Sequence, residues 1–308
     1  MTKLNLPSLP YESWTETRIS VHLILQIMGK ARLGLTSRKN HWWYITIYIS
    51  PRGFSTFTIP IEQGAASLEI EFNVRQRAVS ITHSEKGQTD IELVAGMSIA
   101  RFYKRFMAEL SNMNLSPKFV PRPFDMAIDK PFEELEKYGK IEWADVLKFW
   151  HLMHWNNSIF KEFSGRFYGK TCPVQIFWHH MDLAVTRFSG KKLQPMDKSA
   201  RISVRDAYSH EQISFGFWIG DDTVQEPAYY SYTYPSPEGI DEKPLSPPSA
   251  NWVDSNGSPM AFLRYEDVRS SADPRQAVLD FLESAYQAGA GCAGWNVEEL
   301  TAPPLHEV

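Results

Sequence analysis

Cysteine is nearly missing: Cys172 and Cys292 are the only two in 308 residues. Two thiols so far apart form neither a disulfide framework nor a CxxC-type zinc site. They read as ordinary buried or half-buried groups, with the cytoplasm as the default compartment. Long apolar runs are lacking too. No stretch of about 18 apolar residues is free of charge, and the start Met1-Thr2-Lys3-Leu4-Asn5-Leu6-Pro7 has no apolar signal core. No membrane partner is expected. Positive charge is not in excess either, since 32 Lys and Arg stand against 36 Asp and Glu. Gripping phosphate backbones takes a concentrated surplus of cations, so nucleic acid is not expected as a partner. Also absent are GxxxxGK[ST], GxGxxG between strand and helix, and the GxSxG elbow. No cofactor signature remains.

What is present is a globular composition, 43% apolar and 13% aromatic, with clear periodicities. Ser13-Trp14-Thr15-Glu16 has the form of a capping box. After it, Ile24, Ile27, Met28, Ala31 and Leu35 mark one helical face. Only the stripe His22, Gln26, Gly29 and Lys30 is polar or small, so this helix is expected to be largely buried. Strands are expected over 41–50, 54–61, 68–74, 79–82 and 91–94, with Ser50-Pro51-Arg52-Gly53 as a turn. The third is read as half-solvated, with Glu69, Glu71 and Asn73 outward. Ser98 then caps a helix carrying Ile99, Phe102, Phe106 and Leu110. Prolines 117, 121, 123 and 131 mark a connector.

The order then recurs. A helix is expected over 141–163, strands over 174–180, 183–188, 213–219, 228–234 and 260–264, and a last helix opened by Asp273-Pro274. The fold class is therefore α+β, two similar helix–five-strand–helix halves with mostly antiparallel sheets. The first half spans 12–116, the proline-rich connector 117–139, and the second half 140–296 with a surface-loop insertion over 235–259. Duplication is one explanation of this order, and two unrelated α+β halves the other.

Several stretches are distinctive: LPYESW, HWWYITIYISPRG, DLAVTRFSG, AYSHE, GFW and AGW. Together they resemble the bacterial family catalogued as domain of unknown function 5996, DUF5996, over nearly the whole chain. The resemblance implies no activity. The chain departs from the family pattern at His179 and His180, where small residues are usual, and at Gln175, where a histidine is.

The remaining signal is an aromatic interior with a few polar intruders, the usual composition of a small-molecule pocket. His210, with His22 and Glu211, is the candidate for proton transfer, because imidazole titrates near neutrality. Arg187 is the candidate anchor for an anionic substrate group, since a guanidinium inside a strand needs a carboxylate, a phosphate or solvent. The bland reading pairs Arg187 with Glu211 or Asp182. Gln26, His41, Trp43, Thr186, Tyr208 and Trp218 complete the expected lining. The function expected is a small-molecule enzyme in which His210 and Arg187 line one hollow. The alternatives are a non-catalytic ligand-binding or scaffold protein, and a metal-dependent enzyme using His179 or His180, Asp182 and His210. Adjacent strand residues point to opposite faces, which argues against His179 and His180 acting together and against a Ser209–His210 dyad.

Overall fold

Two antiparallel sheets carry the fold of the computed structural model, which describes residues 6–303. The first contains β1 (Tyr48–Ile49), β2 (Gly53–Ser55), β3 (Ile59–Ile61), β4 (Ala66–Asn73), β5 (Ala78–His83) and β6 (Gly87–Glu92). β2 and β3 pair with opposite ends of β4, through Gly53↔Asn73 and Ile61↔Ala66. They are pieces of one interrupted strand, so the sheet is a meander of the five rows expected. The second contains β7 (Gln175–Phe177), β8 (Asp182–Lys192), β9 (His210–Trp218), β10 (Ala228–Tyr234), β11 (Asn251–Ser255) and β12 (Ser258–Arg264), ordered β7-β8-β9-β10-β12-β11. The sheets meet edge to edge, where Ile47 and Ile176 exchange two backbone bonds of 3.0 and 2.7 Å.

The helices are α1 (Thr15–Leu35), α2 (Ile99–Asn112), α3 (Trp143–Gly165), α4 (Ile202–Ala207), α5 (Tyr265–Ser270) and α6 (Pro274–Cys292). The class is α+β. α1 is buried on nearly every side, including His22, Gln26 and Lys30. Ser98 accepts from the Arg101 amide at 3.2 Å and Asp273 from the Gln276 amide at 3.0 Å, so both expected caps form. No helix of the described residues is long and apolar enough to cross a membrane.

Four local expectations are corrected. Ser13 does not cap α1: a 3₁₀ turn over Tyr11–Trp14 precedes the helix, and the Ser13 hydroxyl donates back to Pro10 O at 2.7 Å. The 41–50 strand shrinks to two residues, because His41 and Trp42 turn left-handed at φ 57° and 60°. Tertiary bonds hold that turn: the Trp42 indole donates to Ser203 O at 3.0 Å and the His41 ring to Ala207 O at 3.3 Å. On β4, Glu71 and Asn73 are buried rather than solvated. Glu71 accepts from Ser50 Oγ at 2.6 Å and Arg52 Nε at 2.7 Å. The 235–259 insertion is not all loop, since β11 lies inside it and pairs with β12 around Asn256-Gly257.

Candidate functional site

Strand register decides which side chains can meet. β8 and β9 pair Thr186 with Ser214 and Arg187 with Ile213, so alternate residues face opposite sides of the sheet. Arg187 points toward α3 and α6, whereas His210 lies on the face of Thr186 and Ser214. The expected hollow containing both is therefore corrected: the sheet separates them. Arg187 is 1% exposed and stacks 3.6 Å from the Phe163 ring centroid and 4.3 Å from that of Tyr286. Its Nη2 donates to Phe163 O at 2.5 Å. Burial pulls its pKa down to about 10. Among the described residues no carboxylate forms an ion pair with it; Glu211 instead sits 3.7 Å from Lys191. This is a packed interior.

On the opposite face, three of the expected residues do converge. His210 opens β9 opposite Lys192, across a register shift in β8 that re-aims the strand end. Its ring lies 5.2 Å from that of His41, which rests 5.1 Å from Trp43 and 4.7 Å from Phe188. Lys170, absent from the sequence-derived set, completes the group. Its carbonyl accepts from the Phe188 amide at 3.0 Å, which ties the segment to β8. Its Nζ sits 2.8 Å from His41 Nε2 and 4.7 Å from the Phe188 ring centroid.

Proton positions follow from the partners. The Ala207 carbonyl accepts only, so His41 carries its proton on Nδ1, and Nε2 accepts from Lys170. Ser209 Oγ donates to Asp206 O at 3.0 Å and is left to accept from His210 Nδ1 at 3.1 Å. That leaves His210 Nε2 with a lone pair and no hydrogen-bond partner among the described residues. The contact also corrects the expected divergence of Ser209 and His210: Ser209 belongs to the turn after α4, not to an extended strand. Burial and the ammonium of Lys170 hold both imidazoles below their usual range, with Lys192 adding to the effect on His210. Asp206 acts on His41 in the opposite direction. Burial also lowers Lys170, for which no carboxylate of the described residues forms an ion pair.

Further along the same face, Tyr230 reaches across Gly216 to donate to Asp182 Oδ2 at 2.5 Å. Gly216 permits this, because a Cβ there would stand 2.2 Å from Tyr230 Cζ. Burial raises the Asp182 carboxyl, and its Oδ1 has no partner. Thr186 and Ser214 hydroxyls lie 3.2 Å apart, as do those of Tyr208 and Tyr232; Trp218 packs edge-on against Tyr230. These expected lining residues form a tyrosine-covered surface beside the histidine cluster.

His22 and Gln26 sit apart, on α1. His22 Nε2 donates to His179 O at 3.0 Å and burial drops its pKa to about 4, so its proton is committed to backbone. Gln26 brackets Phe124, donating to its carbonyl and accepting from its amide at 2.8 Å each. The metal alternative is corrected as well. Leu183 pairs with Phe217 and Lys192 with His210, which separates Asp182 from His210 by roughly 26 Å along the strands. Among the described residues no three His, Cys, Asp or Glu side chains converge. β7 ends at Phe177 and turns, which sets the His179 and His180 rings side by side at 4.5 Å. Cys172 is buried with its pKa pushed up to about 11, an inert thiol.

A family of unknown function, DUF5996, matches residues 6–302. No curated protein and no solved structure matches the chain.

Proposed function

The chain belongs to DUF5996, and from its geometry we propose that it is a small-molecule enzyme that holds an anionic organic substrate at Lys170 and moves a proton through His210 Nε2. The observation that carries this reading is the half-buried Lys170 ammonium. It lies against Phe188 and Trp43, and among the described residues an imidazole is its one hydrogen-bond partner and no acid pairs with it. A charge so placed is completed by a carboxylate or phosphate from outside. Lys170 thus takes the anchoring role that Arg187, on the other side of the sheet, cannot fill. His210 supplies a neutral imidazole whose free lone pair adjoins that charge, the requirement for a general base acting near an anionic group. Both thiols are free, which supports the cytoplasm as compartment. The recurring order of helix, five antiparallel rows and helix, with β11 inserted at the edge of the second sheet, supports an internal duplication.

Heat unfolding in rising inorganic phosphate tests the reading. The wild-type midpoint should climb, Lys170→Met should abolish the climb, and Arg187→Met should keep it. An equal response in wild type and Lys170→Met would overturn it. Retained binding in His210→Ala with no proton exchange lost from any bound carbon acid would leave a ligand-binding module, not an enzyme.

A further inference from the structure

Another cation, on α1 and outside the site above, is buried with no acid paired to it among the described residues. Lys30 is 5% exposed. Among the described residues it has neither an ion-pair partner nor a hydrogen-bond acceptor. Its Nζ lies 5.5 Å from the Trp178 ring centroid and 5.9 Å from that of Phe124. Three separate segments build this box, each held by a specific device. Gly29 lets Trp178 lie against the helix, since a Cβ there would stand 2.1 Å from Trp178 Cδ1. The Trp178 indole is locked by donation to Ile45 O at 3.0 Å. Phe124, from the connector, is clamped over the lysine by the two Gln26 bonds. So the stripe His22, Gln26, Gly29 and Lys30 is not a solvent-facing edge of the helix. It is the floor of an aromatic enclosure around one amine.

An ammonium whose stem is buried between aromatic rings, with little water at its tip and no counter-charge among the described residues, gives up its proton more readily, and a neutral amine beside aromatic walls is a nucleophile toward carbonyl carbon. We propose that Lys30 is a reactive amine that forms a Schiff base with a small aldehyde or ketone. The nitrogen lone pair attacks the carbonyl carbon and a C–N bond forms. The proton released from nitrogen and one from solvent pass to the carbonyl oxygen, which leaves as water to give the protonated imine. No oxidant or reductant is needed. Burial alone accounts for a Lys30 pKa lowered to about 8, and no charged group acts on it, which agrees with this geometry.

The test traps the imine in the full-length wild-type protein, with acetaldehyde and sodium cyanoborohydride at pH 8, followed by peptide mass spectrometry. Lys30 should be alkylated at least about tenfold faster than the exposed Lys104, because near its own pKa roughly half of it is neutral. Its rate should level off above pH 8, while that of a free alkylamine in the same solution keeps rising. Labelling of Lys30 no faster than Lys104, or only after unfolding in urea, would overturn the proposal. Neither outcome bears on Lys170 or on phosphate binding.

Discussion

Replacing Arg187 separates a structural guanidinium from a ligand anchor. At neutral pH the folded protein holds this charge against burial that drops its pKa from 12.5 to about 10, a cost on the order of 3 kcal/mol. Stacking on Phe163 and Tyr286 returns about 1–2 kcal/mol. The Phe163 carbonyl also accepts from the Arg166 amide at 3.2 Å, so removing the guanidinium does not strand it. Methionine fills similar space without charge. Arg187→Met should therefore stay within about 1 kcal/mol of wild type or exceed it, whereas Arg187→Ala should lose about 2–4 kcal/mol through the cavity it leaves. The sign with pH is fixed: a cation whose folded pKa is depressed carries its full burden below pH 10, and wild type gains on the variant only above that. Urea unfolding between pH 6 and 9 measures the difference, which should be flat. Arg187→Met unfolding as readily as Arg187→Ala would refute the reasoning. So would a stable Arg187→Met that had lost its phosphate response, since Arg187 would then be the anchor.

The other perturbations act elsewhere in the fold. Gly216→Ala drives a methyl into Tyr230 and should cost about 1–3 kcal/mol in urea unfolding; a neutral result would mean that the ring is not held on Asp182. The Asp182 carboxyl is raised by burial, so its contribution is present at acid pH and lost as pH rises through its folded value. Asp182→Asn should then raise the unfolding midpoint at pH 7, with the gain shrinking toward pH 4. An equal loss at both pH values would contradict this. His22 is lowered to about 4, so its contribution is present above pH 6.5 and lost as pH falls toward 4. His22→Gln should flatten that acid limb in a pH series of unfolding midpoints.

Much of the fold was legible because periodicity and caps are local. The α1 face, the caps at Ser98 and Asp273, and the five-row meander all follow from residues close in sequence. What failed was set by distant partners. The strand expected at 41–50 yields to a left-handed turn because His41 and Trp42 find carbonyls on α4. Glu71 looked solvated by alternation, yet Arg52 and Ser50 close over it. β11 could have been found, since Asn256-Gly257, with φ 54° and 81°, is the common hairpin pair. In the site, His41, Trp43 and His210 were legible as residue types but not as neighbours. Arg187 was misplaced because alternation along β8 was not followed through to opposite faces. Lys170 carried no local signal at all: only the tertiary placement against Phe188 and His41 sets it apart from other lysines.

The central claim is that Lys170 and His210 act on one anion. Nuclear magnetic resonance of the His210 Cε1 proton across pH, with and without inorganic phosphate, tests it most directly. In wild type, phosphate should raise the His210 titration midpoint. In Lys170→Met the midpoint should already be higher without phosphate, because a neighbouring cation is gone, and phosphate should no longer move it. A His210 signal indifferent to phosphate in wild type, or unchanged by Lys170→Met, would contradict the account.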